Sequence, residues 1–153
     1  MKNIYYAGHS QSGSTLTDLI LTIFQLNGRL VDAGDQLVQP LGLTGARWQV
    51  IGAIALADTP QPVSNLARNM GLSRQAVQRL VNELALEDFV SFQPNPHHQK
   101  AKLVILTDKG KQSYEASMAL QIPWVNQLAN ELTLEEIIST THCLRKIIKQ
   151  LEK

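Results

Sequence analysis

Residues 62–84 read PVSNLARNMGLSRQAVQRLVNEL and carry the spacing of two short helices joined by a tight turn. Pro62 suits the first turn of the first helix, which continues to Met70. Ala67 is small enough for two helices to cross closely, and Gly71, four residues later, supplies the turn. The apolar positions predicted to complete a small core around this crossing are Leu66, Leu72, Val77, Leu80 and Leu84. This pattern predicts a helix-turn-helix motif.

The second helix of the motif has two opposite faces, since its apolar residues fall on one side and its polar residues on the other. Ser73 is placed to cap it. The polar face suits a DNA major groove, because Arg can bond two acceptors on guanine and Gln or Asn can bond adenine. The ordinary alternative is a solvated helix face. We interpret six residues as the DNA-reading set: Ser73, Arg74, Gln75, Gln78, Arg79 and Asn82.

A change of hydrophobic period after this helix predicts a β-hairpin. Phe89 to Phe92 reads as one short strand, Lys102 to Leu106 as a second, and the loop between them is rich in Pro, Asn and His. A hairpin in this position acts as a wing that follows the DNA backbone or enters the minor groove. Five residues are predicted to contact phosphates or the groove: Ser64, His98, Gln99, Lys100 and Lys102. His97 and His98 would add positive charge below about pH 6.5.

Two longer helical patterns flank this segment. Apolar residues recur at spacings of three and four from Leu16 to Val38, with Thr15 or Thr17 as the expected cap and Pro40 and Gly42 as the end. The first 14 residues read as a tail.

On the C-terminal side, Thr107 is expected to cap a helix that Pro123 kinks or interrupts, and Thr133 with Glu136 forms a capping-box pattern for the last helix. Its apolar stripe is only two heptads long, which is too short for a free-standing coiled coil. We expect the two flanking helices to form a dimer interface, with an intrachain core as the alternative. The interface residues predicted are Leu16, Leu19, Ile20, Ile137, Leu144, Ile148 and Leu151.

The helix that precedes the motif begins after Thr44 and carries Arg47 and Trp48. A cleft between the long helices and the helix-turn-helix domain is the expected place for a small-molecule ligand, and this helix joins those two parts. The two residues are therefore the predicted effector-pocket residues. The competing interpretation is structural, with Trp48 in the core and Arg47 in a salt bridge or dimer contact.

The composition sets outer limits on function. The chain has 153 residues with a formal net charge of +1, which fits one domain with helical extensions and gives no strongly basic footprint. The excess of positive charge is local, since residues 41–106 contain six Lys and Arg against four Asp and Glu. No signal peptide and no apolar run of about 20 residues is present, so a cytoplasmic protein with no membrane association is expected.

Several other residues suggest alternative functions. Gly8-His9-Ser10-Gln11-Ser12 resembles a hydrolase nucleophile elbow, but Ser12 replaces the final Gly. Cys143 is expected to be a buried, inert thiol rather than a redox switch, and the four His lack metal-ligand spacing. We therefore expect no enzyme, no catalytic residue, no metal and no cofactor. A winged-helix module that binds proteins and not DNA remains the main alternative.

The sequence resembles the MarR (multiple antibiotic resistance regulator) family of bacterial winged helix-turn-helix transcription factors. The resemblance rests on Leu43-Thr44 with Arg47-Trp48, on Leu66-Ala67, on Gly71 to Val77, on Ala101 to Leu103 and on Leu106 to Gly110. It implies a symmetric homodimer that binds a pseudo-palindromic double-stranded DNA operator, usually as a repressor. It also implies that a small, often phenolic, aromatic effector or an oxidant commonly releases the DNA.

The family resemblance sets the expected fold class and domains. The fold is mainly α with a small β wing (α+β). The expected organisation is a tail at 1–14, a dimerisation helix at 15–40, a winged helix-turn-helix DNA-binding domain at 41–106 and C-terminal dimerisation helices at 107–153.

The wing departs from the family pattern. The family commonly has Asp-Pro-x-Asp-Arg-Arg here, whereas this chain has Asn95-Pro96-His97-His98-Gln99-Lys100. Lys lacks the planar fork of Arg, so we expect phosphate contacts rather than minor-groove insertion.

Overall fold

A computed structural model describes residues 7–152; residues 1–6, the first part of the predicted tail, lie outside the described residues. The helices are α1 (Gln11–Val38), α2 (Gly45–Ala55), α3 (Val63–Met70), α4 (Arg74–Leu86), α5 (Asp108–Ala129) and α6 (Leu134–Leu151). The strands are β1 (Gln61–Pro62), β2 (Val90–Gln93) and β3 (Leu103–Leu106). The mainly α fold with a small β wing is thus confirmed. The chain divides after Tyr114 into two compact units.

The start of α1 was predicted wrongly. The helix begins at Gln11, because the Ser10 side chain accepts a hydrogen bond of 3.0 Å from the backbone N–H of Gly13 and so caps the first turn. Thr15 and Thr17, the expected caps, lie inside the helix and donate back to the carbonyls of Gln11 and Gly13. Residues 11–14 therefore belong to the helix and not to a tail.

Most other helix boundaries follow the predicted signals. A single 3₁₀ turn, Gln39–Leu41, follows α1 and ends at Gly42, which has a φ of 70°. The side chains of Thr44, Ser73 and Thr133 cap α2, α4 and α6, and Glu136 completes the capping box of α6. Of the kink or interruption expected at Pro123, the interruption does not occur, since α5 runs through this residue as one helix, and a kink remains a prediction.

The first unit is built on one hydrophobic core. Fully buried residues come from α2, α3, α4 and the sheet: Val50, Ile51, Leu66, Val77, Val81, Leu84 and Val104. Ala67 is 2% exposed at the crossing of α3 and α4, which explains why a small residue is needed there. The core fixes the positions of α4 and the hairpin, the two elements predicted to meet DNA.

The sheet has three antiparallel strands in the order β1-β3-β2. Val90 pairs with Leu106 and Gln93 with Leu103 in the predicted hairpin. The short strand β1 was missed by the sequence prediction. It pairs Gln61 with Val104 and Pro62 with Leu103, so the start of α3 is bonded to the returning strand of the wing.

The second unit contains the rest of α5 and all of α6. No residue of α6 is buried in the described chain, and large apolar side chains such as Leu134, Ile138 and Leu151 are exposed. Cys143 is likewise exposed, which contradicts the expected buried thiol. The reason is that an amphipathic helix hides one face only where another surface covers it.

Candidate nucleic-acid interface

Helix α4 presents the predicted reading set to solvent. Val77, Leu80, Val81 and Leu84 face the core at 0–6% exposure, which leaves the opposite face free. Ser73, Arg74, Gln75, Arg79 and Asn82 are exposed, and Gln78 is half-buried. Arg74, Gln75, Gln78, Arg79, Asn82, Glu83 and Leu86 together border one open surface of the helix. The six predicted residues therefore lie on α4 or at its cap, and Leu86 adds an apolar group that the sequence prediction did not include.

Polar groups on this face bond to each other in the free protein. The Gln78 side-chain amide donates to Oδ1 of Asn82 at 2.9 Å, one helical turn away. Arg79 Nη1 lies 3.9 Å from Glu83 Oε1, at the outer limit of an ion pair, and both side chains are exposed. Exposed pairs of this kind contribute little stability and are easily exchanged for other partners. The side chains of this face can therefore exchange these partners for hydrogen bonds to base edges at a small cost in free energy.

The wing loop is ordered by Asn95, a residue that the sequence prediction did not single out. Its Nδ2 donates to the Ala101 carbonyl at 2.8 Å, and its Oδ1 accepts from the His97 backbone N–H at 3.0 Å. The loop is therefore closed across its base by one side chain. Asx turns of this type are a recognisable sequence signal, because Asn before Pro favours turn initiation.

Beside the wing, a cleft of about 280 Å³ brings together groups that are far apart in sequence. Its walls come from the start of α3, the start of α4 and the base of the hairpin, which β1 ties to α3. The lining residues are Pro62, Val63, Ser64, Arg74, Gln78, Phe92, Lys100, Ala101 and Lys102. The cleft therefore contains three of the five predicted phosphate or wing residues, namely Ser64, Lys100 and Lys102. Arg74 and Gln78 of α4 belong to the same lining.

The two remaining wing residues stay apart from this cleft. His98 and Gln99 are exposed in the loop between the hairpin strands and do not line the cleft. The His98 backbone bonds to Asn95 and Ala101, so the loop conformation involves its main chain. Their contact with DNA remains a prediction.

The predicted effector residues are both engaged in packing. Arg47 Nη2 lies 2.8 Å from Glu87 Oε2, and its side chain is only 12% exposed. The guanidinium also stands 5.5 Å from the centre of the Phe89 ring. Trp48 is half-buried against the core and faces Gly34 of α1. These contacts supply the structural role that was the competing interpretation, and a role in effector binding remains a prediction.

The ion pair with Arg47 changes the acidity of Glu87. The hydrogen bond from Arg47 lowers the pKa of this carboxyl below its ordinary value, desolvation acts in the opposite direction, and the charges of Arg47 and Lys109 lower the pKa further. The carboxylate thus remains ionised in mildly acidic solution. The pair joins α2 to the C-terminal end of α4.

A second set of contacts holds the end of α4 against the start of α5. Asp88 has a φ of 64°, and the Thr107 hydroxyl donates to its carbonyl at 2.6 Å. Lys109 Nζ donates to the Glu87 carbonyl at 2.6 Å and lies 4.3 Å from the centre of the Phe89 ring. Thr107 also accepts from the Gly110 N–H at 3.1 Å, as predicted for the cap of α5. The sequence prediction did not foresee that this segment also anchors the reading helix.

The residues predicted at a dimer interface keep apolar surface exposed. Leu16, Ile137, Ile148 and Leu151 are exposed, and Leu19, Ile20 and Leu144 are half-buried. These side chains are available to a partner, and their role in a dimer interface remains a prediction.

Other features of the described residues limit further readings. Ser10, which would be the nucleophile if the protein were a hydrolase, caps α1. Within residues 7–152, no group of three or more His, Cys, Asp and Glu side chains is placed to hold a metal ion. In the same part of the chain, none of the helices combines the length and the hydropathy needed to cross a bilayer.

Comparison with known sequences decides the family. The sequence model of the MarR family matches residues 41–101, the segment from α2 through the wing. An uncharacterized protein of Mycobacterium tuberculosis is 31% identical over 134 residues, which cover 88% of this chain and 92% of that protein. The chain belongs to the MarR family. It is a DNA-binding transcriptional regulator of the winged helix-turn-helix class. The transcriptional activatory protein BadR of Rhodopseudomonas palustris is 24% identical over 138 residues, covering 88% of this chain and 79% of BadR.

Solved structures of MarR regulators have the same fold. A MarR/EmrR family regulator from Acinetobacter sp. ADP1 superposes with a TM-score of 0.80 at 20% identity, covering 89% of this chain and 96% of that one. A mutant MarR from E. coli complexed with operator DNA gives 0.76 at 23% identity, with 90% and 99% covered. CouR from Rhodococcus jostii RHA1 bound to p-coumaroyl-CoA gives 0.71 at 18% identity, with 86% and 91% covered.

Proposed function

We propose that this MarR-family protein is a homodimeric repressor that binds a pseudo-palindromic operator in double-stranded DNA and is released by a small aromatic ligand. The observation that carries the proposal is the unobstructed polar face of α4, which stands beside a wing cleft that contains cations and no acidic lining residue. Gln75, Gln78, Arg79 and Asn82 would read base edges from this face. A module that binds only proteins would need an acidic partner surface shaped to this cleft, whereas every DNA duplex supplies phosphates.

A dimer is supported by the exposed apolar side chains of α1 and α6, such as Leu16 and Ile148. Large apolar side chains that a chain leaves exposed on amphipathic helices are often covered by a partner. A two-fold axis would present two copies of α4 to successive major grooves about 34 Å apart on one DNA face. The interface set that we propose is the one predicted from the sequence: Leu16, Leu19, Ile20, Ile137, Leu144, Ile148 and Leu151.

The ligand and the direction of regulation are supported by relatives. CouR was solved with p-coumaroyl-CoA, which supports an aromatic effector for this chain. BadR is named as an activator, whereas we favour repression, which follows when an operator overlaps a promoter. We propose a cytoplasmic location, because the proposed target is DNA. We propose no enzymatic activity, because Ser10 serves to cap a helix.

The test is selection of bound duplexes from fragmented genomic DNA, followed by measurement of affinity for the selected operator and for a shuffled duplex. We expect one palindromic site and a marked preference over the shuffled duplex. Arg79→Ala should weaken operator binding by about 1–3 kcal/mol if Arg79 contacts guanine, and Arg29→Ala in the exposed part of α1 is the matched control. Failure of the wild-type protein to prefer any duplex would overturn the proposal.

The dimer is tested separately by sedimentation of the purified protein. We expect twice the 17.0 kDa mass of the chain at micromolar concentration. Ile148→Glu should shift the protein toward the monomer, because it would place a charge in an apolar interface, and Lys149→Glu on the same helix is the control. A wild-type monomer at these concentrations would contradict the dimer.

A further inference from the structure

The cleft beside the wing concentrates positive charge. Arg74, Lys100 and Lys102 line it, and none of its described lining residues is acidic. Like charges that converge in a partly enclosed space repel one another more than charges spread over an open surface. Such an arrangement is relieved by an anion that binds among them.

The three cations of the cleft have no acidic partner among the described residues. Among residues 7–152, Arg47 pairs with Glu87, Arg79 approaches Glu83 and Lys111 approaches Asp108. No salt bridge to a described residue is formed by Arg74, Lys100 or Lys102. Their charges are therefore available to a bound group, whereas Arg79 already has a weak partner on its own helix.

The fold holds these cations together with neutral donors. The pairing of Pro62 with Leu103 brings the start of α3, including Ser64, next to the residues that precede β3. Asn95 closes the loop that contains Lys100 by bonding to the Ala101 carbonyl. Arg74 is the first residue of α4, directly after its Ser73 cap. Ser64 and Gln78 add a hydroxyl and an amide to the lining.

We propose that this cleft binds one phosphate of the DNA backbone in each half-site, and that Arg74 is a backbone contact rather than a reader of guanine. The inference rests on the proposed function and divides the predicted reading set: Arg79 and Asn82 border the open face of α4 and not the cleft, whereas Arg74 and Gln78 border both. Lysine is a point charge that suits a phosphate, and a phosphate does not need the planar fork that minor-groove arginines supply. Through the cleft, the lysines of the wing thus anchor the protein to the DNA backbone.

Two measurements separate a phosphate contact from a base contact. The salt dependence of affinity counts phosphates, with a slope change of about 0.9 for each phosphate charge lost, while the ratio of operator to shuffled-duplex affinity reports base reading. Arg74→Ala should lower affinity for both duplexes by the same factor and flatten the slope by about 1.8, because the homodimer loses one phosphate contact in each half-site. Arg74→Lys should restore most of both values. Arg79→Ala, the matched variant on the same helix, should instead reduce the operator preference.

Replacement of single phosphates by uncharged methylphosphonates locates the contact. One linkage in each half-site should weaken wild-type binding when neutralised and have no added effect on Arg74→Ala or Lys100→Ala. Additive losses at every linkage, or a loss of operator preference in Arg74→Ala equal to that in Arg79→Ala, would overturn the cleft assignment while leaving the proposed function intact. Absence of wild-type binding to any duplex would overturn both.

Discussion

Arg47 Nη2 lies 2.8 Å from Glu87 Oε2, and this ion pair joins the second helix to the last turn of the reading helix. Arg47 is mostly buried, whereas Glu87 is half-exposed, so the carboxylate is the only described acid that neutralises this guanidinium. Lys109 reinforces the same junction from α5 by bonding to the Glu87 carbonyl. The orientation of the DNA-reading helix therefore depends on charges that belong to two other helices.

Glu87→Gln is expected to remove an acid-sensitive part of the stability. The pKa of Glu87 is lowered in the folded protein, so its contribution is fully present above the ordinary carboxyl range and is lost as the pH falls through the lowered value. The variant should be less stable than wild type at pH 7, and the difference should shrink toward strongly acidic pH. Denaturant midpoints over this range measure the effect. Glu131→Gln, at an exposed residue without a salt bridge in the described chain, is the control.

Gly110→Ala is expected to destabilise the protein by about 1–3 kcal/mol or more, because a Cβ at this position would run into the carbonyl oxygen of Phe89. Gly28→Ala is the matched control, since a Cβ there meets nothing within 4 Å and Ala is favoured over Gly in a helix by up to about 1 kcal/mol. Thermal unfolding should place the two variants on opposite sides of wild type. Equal stability of wild type and Gly110→Ala would show that α5 does not approach Phe89 this closely.

Asn95→Ala is expected to loosen the wing while leaving the core intact. The substitution removes both the bond to the Ala101 carbonyl and the acceptor for the His97 N–H. Amide exchange of His97 should accelerate and DNA affinity should fall, because the loop with Lys100 must then be ordered on binding. Asn126→Ala, at an exposed residue of α5, is the control. Unchanged exchange at His97 would contradict the ordering role of Asn95.

Asp35→Ala is expected to weaken the attachment of α1 to α2. Asp35 Oδ1 accepts from the Gly45 N–H at 2.5 Å, at the positive end of α2. A charged acceptor at a helix N-terminus contributes about 1–2 kcal/mol, so chemical denaturation should show a loss of that size. Asp32→Ala, one turn earlier on α1 and exposed, should change stability by less than about 0.5 kcal/mol. Similar losses in both variants would argue against a specific contact at Asp35.

Local signals in the sequence were enough for most of the secondary structure. The caps at Thr44, Ser73 and Thr133, the turn at Gly71 and the change of period at Phe89 each depend on neighbours a few residues away. The start of α1 was predicted wrongly for a local reason. Ser10 was interpreted as a possible nucleophile, whereas its side chain caps the helix. The reading face of α4 followed from the helical repeat alone.

The tertiary structure decided what depends on residues far apart in the chain. Strand β1 has only two residues and exists because β3 lies beside it, although the paired residues Pro62 and Leu103 are far apart in the chain. The same pairing places Ser64 beside Lys102 and creates the cleft with Arg74. The pairing of Arg47 with Glu87 likewise depends on the tertiary structure, because it forms where the end of α4 packs against α2. The sequence by itself determined the helix-turn-helix and its polar face, since these follow from short-range periodicity, whereas the folded core decided which charges meet.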